Sequence, residues 1–172
     1  MTVYTIGHST RALDEFIALL HAHGVTQLAD IRTIPKSRRH PHFAGDALSE
    51  SLPAAGISYR HFAGLGGLRK PRPDSRNGGW RNASFRGYAD YMQTPAFEAA
   101  LEDLMMWSSA GPTAVMCAEA VWWQCHRQLV ADALVARGVE VRHITSARAA
   151  PVHSLTSFAR EDEGRVTYPG LI

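Results

Sequence analysis

Hydrophobic and polar positions change period several times along the chain, and each change marks an element. Val3 to Ile6 is a short β-branched and aromatic run ending at Gly7, which predicts a buried strand. From Leu13 to His23, the residues Phe16, Ile17, Leu19 and Leu20 fall at helical spacing, and Gly24 supplies the stop. Val25 to Ile31 predicts a second strand, followed by a basic loop from Arg32 to Gly45. Asp46 to Ala55 reads as a short helix closed by Gly56, and Ile57 to Phe62 as a third strand. A loop rich in Gly, Arg and Pro runs from Ala63 to Ala83; its length marks it as a lid, a binding loop or a disordered segment. Ser84 is placed to cap a helix through Tyr91, and Pro95 opens another through Trp107. Thr113 to Ala118 predicts a fourth strand, Trp122 to Arg137 an apolar helix closed by Gly138, and Val139 to Ile144 a fifth strand. Thr145 to Ile172 reads as an irregular tail with one short strand near Val166.

Strands that alternate with helices predict an α/β fold of three layers: a mostly parallel sheet of about five strands with helices on both faces. At 172 residues the expectation is one domain over residues 1–172, with 31–89 basic and loop-rich and 145–172 the tail. A composition 45% hydrophobic and 20% charged fits an ordinary globular protein and excludes a disordered chain. Two cysteines are too few for a disulfide scaffold. Met1 to Ser9 has neither the basic nor the apolar region of a secretory signal, so a cytoplasmic location is expected. The apolar stretch from Ala114 to Trp123 is about half a membrane span and contains Glu119, so no membrane partner is expected.

Charge changes the picture more than composition does. The net charge is +2, but Ile31 to Ala89 carries +8 and the remainder −6. Nine of the eleven basic residues in that stretch are Arg, the residue suited to bidentate phosphate or carboxylate recognition, although Arg-rich codon usage would give the same count.

In open α/β sheets, ligands bind at the carboxyl ends of the strands. Three predicted strand ends are unusually polar: Gly7-His8-Ser9-Thr10-Arg11, Asp30-Ile31-Arg32 and Cys117-Ala118-Glu119. Alternation along the fourth strand puts Cys117 and Glu119 on one face. On a wheel of the following helix, Leu129, Val130, Ala133 and Leu134 define the buried stripe. His126 falls near its centre, with Cys125 and Arg127 on opposite flanks. His126 should therefore point inward toward Cys117 and Glu119, as a site residue or as a core histidine, and the two cysteines read either as site thiols or as small buried hydrophobes.

Several chemistries are excluded. Cys117-Ala118-Glu119 has the start of a zinc-deaminase pattern but no P-C-x-x-C turn follows. Trp123 stands where a cysteine phosphatase loop needs Arg, and Gly64-Leu65-Gly66-Gly67 lacks the Gly-Lys-Ser/Thr of a Walker loop. His40-Pro41-His42 beside Arg38 and Arg39 reads as a solvated basic loop, and His21 and His23 as structural. Trp122 and Trp123 suit either a packed helix start or a stacking platform.

Together these motifs resemble the family called domain of unknown function 488. The matching stretches are Thr5-Ile6-Gly7-His8-Ser9-Thr10-Arg11, Asp30-Ile31-Arg32 with Pro35 and Ser37-Arg38, Leu65-Gly66-Gly67, Tyr88-Ala89-Asp90-Tyr91-Met92, and Met116-Cys117-Ala118-Glu119 with Cys125-His126-Arg127. Ala12 departs from the helix-capping Ser or Thr common there. The resemblance implies a cytoplasmic bacterial α/β protein and no particular reaction.

The residues themselves support an enzyme acting on a phosphate-bearing substrate, a nucleotide or nucleic acid. Cys117, Glu119, Cys125 and His126 are the candidate catalytic groups: Glu119 and His126 as acid–base pair, Cys117 or Cys125 as nucleophile or redox thiol. His8, Ser9, Arg11, Asp30, Arg32, Arg38 and Arg127 are the candidate substrate- and anion-binding groups. One alternative is a non-catalytic nucleic-acid-binding module with Tyr59, Phe62, Trp80 and Phe85 interleaved among the cations. Another is a metal or redox protein using Cys117 and Cys125. The sequence assigns no cofactor, metal ligand set or oligomeric state.

Overall fold

The computed structural model describes residues 1–170. Its strands are β1 (Thr2–Gly7), β2 (Gln27–Asp30), β3 (Ser58–His61), β4 (Thr113–Cys117) and β5 (Glu140–His143). They form one all-parallel sheet in the order β3-β2-β4-β1-β5. The helices are α1 (Leu13–Ala22), α2 (Gly45–Ala54), α3 (Ala83–Met92), α4 (Pro95–Ser108) and α5 (Arg127–Ala136).

Period-two alternation sorts the sheet's side chains between two cores. Ile6, Leu28, Ala114 and Met116 pack with Phe16 and Leu20 of α1 and with Leu48 and Leu52 of α2. Val3, Ala29 and Val115 pack with Tyr88 of α3, Leu101 and Leu104 of α4, and Leu129 and Leu134 of α5. The result is a three-layer α/β fold. The connections after β1 and β2 leave toward the first layer and the one after β4 toward the other. Since β4 lies between β1 and β2, this divergence opens a crevice at their carboxyl ends, the place where such sheets bind ligands.

Local chemistry accounts for most helix boundaries. Thr94 caps α4 by accepting the Phe97 N–H, and Pro95 occupies the first turn. The cap of α3 is Asn82, not Ser84: its side chain accepts the N–H groups of Ser84 and Phe85. The long loop before α3 is held against that helix. Asp90 accepts from the Arg72 N–H, the Ser75 hydroxyl and the Asn77 amide. Gly87 makes room for it, since a Cβ there would sit 2.1 Å from the Arg69 carbonyl.

Two further expectations about the elements need correction. The helix expected from Trp122 begins instead at Arg127. Trp122–Gln124 form a single 3₁₀ turn, and Cys125 is extended, at φ −138° and ψ 156°. The Trp122 ring stacks on His143 of β5 at 4.2 Å with an interplanar angle of 1°, and this packing outside the helix overrides local propensity. The second correction concerns the tail. His143 and His153 exchange main-chain bonds with Pro151 and Val141, so the tail covers the edge of β5. It then forms an antiparallel hairpin, β6 (Arg160–Asp162) and β7 (Arg165–Thr167), rather than one short strand. Residues 171 and 172 of the tail lie outside the described residues. Among the described residues, no helix is long and apolar enough to cross a membrane.

Candidate active site

The sheet register brings two of the polar strand ends into direct contact. Gly7 pairs with Cys117, and the His8 and Ser9 N–H groups donate to the Cys117 and Ala118 carbonyls at 2.9 Å each. The loop after β4 then crosses the end of β1. Gly7 permits this, because a Cβ there would sit 1.7 Å from the Glu119 carbonyl oxygen. β4 ends at Cys117, so strand alternation does not extend to Glu119 as expected. Glu119 is exposed, makes no side-chain ion pair or hydrogen bond among the described residues, and contributes its carbonyl instead.

Alternation also divides the expected pocket in two. On the α3–α5 side lies a cleft of about 370 Å³ with Cys117, Cys125 and His126 at its base. Ile34, Leu68, Phe85 and Tyr88 form apolar walls, and Arg32 and Lys36 lie along one side. On the other side of the strand ends lies a more open compartment of about 480 Å³, bounded by His8, Ser9, Thr10, Ser37, Arg38, Arg39 and His40. Ala118, Glu119 and Gln124 border both. The basic loop read as solvated thus forms one wall of this second compartment.

The extended Cys125 turns its sulfur back onto the strand end. Its Sγ lies 2.7 Å from Cys117 Sγ, and both residues are buried free cysteines. His126 is held by its Nε2–H, which donates to the Ile31 carbonyl at 2.8 Å. That bond leaves Nδ1 to face Cys125 Sγ at 3.5 Å. Cys125 is lowered well below the usual thiol range by the Cys117 hydrogen bond, with further help from His126 and the Arg127 main-chain N–H against the cost of burial. Burial and the same bond push Cys117 the opposite way. The two shifts run in opposite directions, which favours the thiolate at Cys125 and the thiol at Cys117.

The candidate cations are less free than their sequence positions suggest. Arg32 forms a bidentate pair with the buried Asp30, Nε to Oδ1 at 2.9 Å and Nη2 to Oδ2 at 2.7 Å, and Nη2 also donates to the Phe43 carbonyl. The Tyr59 hydroxyl donates to the same carboxylate. Among the described residues, Arg32 Nη1 has no hydrogen-bond partner. Arg127 is fully buried, inward of His126 rather than flanking it, and donates to the Thr5 hydroxyl and to the Glu119 and Ala120 carbonyls. Arg11 reaches the Gly7 carbonyl at 3.5 Å and borders neither compartment. Arg38 is exposed at the second compartment. His8 stacks on Phe43, donates from Nδ1 to the Ser9 carbonyl, and is lowered by burial, so its ring is neutral with Nε2 unpartnered.

Two of the four expected stacking platforms are consumed internally, and Phe85 lines the cleft instead. Phe62 is buried, and Trp80 packs among Phe85, Phe158 and Tyr168. Among the described residues, no three or more His, Cys, Asp or Glu side chains gather in a group able to hold a metal ion. Sequence reasoning missed Tyr88 and Leu68 as cleft walls. Leu68 is exposed and sits at φ +59°, a conformation costly for a branched side chain, and a run of Gly-Gly-Leu gave no warning of it.

A family described as domain of unknown function DUF488 matches residues 12–134 of the chain. The chain belongs to this family. Neither a curated protein nor a solved structure matches it.

Proposed function

We propose that this protein is a cysteine-dependent enzyme acting on a phosphate-bearing substrate, with Cys125 as the nucleophile. The observation that carries this reading is the orientation of His126. With Nε2–H committed to Ile31, its Nδ1 is the group that accepts the Cys125 proton, which is the arrangement of nucleophile, base and orienting acceptor used in covalent catalysis. Cys125 thiolate attacks the electrophilic centre, forming a bond from sulfur to that centre. The bond to the leaving group breaks, and the leaving group takes the proton held at His126 Nδ1. An incoming hydroxyl or water then gives its proton to Nδ1 and displaces the sulfur, restoring the thiolate. Arg38, Arg39 and the hydroxyls of the neighbouring compartment suit the anionic group, and the walls at Phe85 and Tyr88 suit a flat apolar portion such as a base. Exposed Glu119 borders both compartments.

The test is alkylation with iodoacetamide at pH 6.5. Cys125 should label about tenfold faster than in the His126→Ala variant, and pyrophosphate or a nucleoside monophosphate should slow it. A wild-type labelling midpoint near the ordinary thiol value of about 8.5, indifferent to His126→Ala, overturns the reading.

The contact between the two sulfurs favours a second reading with the same thiolate. Cys125 attacks a substrate disulfide and releases one substrate thiolate. Cys117 then gives up its proton and attacks Cys125 Sγ, closing a disulfide and releasing the second thiol; two electrons pass to the substrate.

A further inference from the structure

Behind the thiol site, between the sheet and α5, lies a chain of buried polar side chains that the proposed chemistry does not use. It starts at Arg127, whose Nη1 donates to Thr5 Oγ1 at 3.2 Å. Thr5 Oγ1 lies 2.6 Å from His143 Nδ1, and His143 Nε2 lies 2.8 Å from His153 Nδ1. His153 Nε2 lies 2.7 Å from Asp132 Oδ1, and the Tyr168 hydroxyl donates to Asp132 Oδ2, also at 2.7 Å. Thr5, Arg127, His143, His153, Asp132 and Tyr168 are all buried.

With both imidazoles neutral, the two ends fix the direction of every bond. A guanidinium has no acceptor and a carboxylate has no donor. Thr5 must therefore accept from Arg127 and pass its own proton to His143 Nδ1. His143 then donates from Nε2 to His153 Nδ1, and His153 donates from Nε2 to Asp132. Arg127 otherwise donates to two carbonyls, and among the described residues no carboxylate forms an ion pair with it. A buried guanidinium without a direct counter-ion is costly, and Asp132 answers it from the far end of the chain.

We propose that this relay is a positioning device for the thiol site: Asp132, through His153, His143 and Thr5, holds Arg127 in place. Arg127 in turn holds the Glu119 and Ala120 carbonyls, and with them the turn that runs from Cys117 to Cys125. It also keeps its charge beside Cys117 and presents its main-chain N–H to Cys125. The stack of Trp122 on His143 ties the same turn to the relay from its other side. Thr5, His143, His153 and Tyr168 lie outside residues 12–134, whereas Arg127 and Asp132 lie within them, so the relay joins the family-matched segment to both flanking segments.

The proposal rests on the thiol-site reading, and its test separates the two. The chain has only two cysteines, so absorbance at 240 nm titrates both thiols directly. Thr5→Val keeps the side chain's shape and removes the relay's hydroxyl; Thr5→Ser restores it. The first thiolate midpoint should rise by about one pH unit in Thr5→Val, the smaller end of the shift a nearby charge produces, and return in Thr5→Ser. A folded Thr5→Val with the wild-type midpoint overturns the relay's role, while an ordinary midpoint in the wild type overturns the thiolate reading instead. Nitrogen-15 NMR of the wild-type protein gives an answer that depends on no variant folding. Both His143 and His153 should show neutral rings protonated at Nε2. A ring protonated at Nδ1, or charged at neutral pH, overturns the proposal.

Discussion

At the scale of single residues, the two cysteines differ because their surroundings differ. Cys117 lies at the end of a buried strand, where desolvation favours the neutral thiol. Cys125 faces the Cys117 S–H, His126 Nδ1 and the Arg127 main-chain N–H. A thiolate beside a thiol is also the starting point of a disulfide, because an oxidant takes Cys125 first and leaves Cys117 to resolve it. Treatment with stoichiometric hydrogen peroxide should therefore remove both free thiols together and give a monomer lighter by two hydrogens, restored by dithiol reductant. Oxidation of Cys125 to the sulfinic acid with Cys117 still free would sink this expectation. Glu119 shows the opposite lesson. The sequence placed it on the same face as Cys117, yet β4 stops two residues earlier, and the loop turns its side chain to solvent because Arg127 takes its carbonyl.

At the scale of elements, β5 carries a group that ties stability to pH. Burial, together with His153 and Arg127, lowers His143 to about 3, against about 6.5 in an unfolded chain. Between those values the unfolded state binds a proton that the folded state refuses. Stability should therefore be complete above about pH 6.5, fall as the pH drops toward 3, and lose nothing further from this group below that. One proton sets a slope of about 1.4 kcal/mol per pH unit in that window. Urea unfolding at several pH values in wild type and in His143→Gln measures it: the gap between the two stability curves should narrow with acid. Curves that run parallel would refute the assignment. Elements differ in how legible they were. The five sheet strands and α1, α2 and α4 follow from apolar period and Gly or Pro punctuation, and their bounds move by only a residue or two. The start of α5 does not, because a ring stack with β5 decides it. The hairpin of β6 and β7 does not either: only Val166 of its six residues is buried, so no alternating pattern announces it. Asp132 lies off the apolar stripe of α5 and is buried only because the tail folds over it, which hid the relay from the sequence.

At the scale of the whole molecule, the positive stretch of the sequence is not one positive surface. Arg32 is neutralised by Asp30, Arg60 pairs with Asp103 and Arg72 with Asp74. Arg69 lies over the Tyr91 ring. The cations that face the second compartment without an ion pair among the described residues are Arg38 and Arg39, with Lys36 close by in sequence. This distribution separates a small phosphate-bearing substrate from a nucleic-acid partner. A polyanion engaging about three cations releases about three counterions. Its affinity should then fall with salt at a log–log slope of roughly −2 to −3, or about 15- to 65-fold between 50 and 200 mM. With Phe62 and Trp80 packed inward, neither offers a stacking face that would favour single strands. Anisotropy titrations with a labelled oligonucleotide should show weak binding at low salt and similar slopes for single and double strands. The slope should shrink by nearly two in an Arg38→Ala, Arg39→Ala double variant. A slope of −6 or steeper that the double variant leaves unchanged would mean that the 69–86 segment is a nucleic-acid face, and the binding module would then displace the small-substrate enzyme.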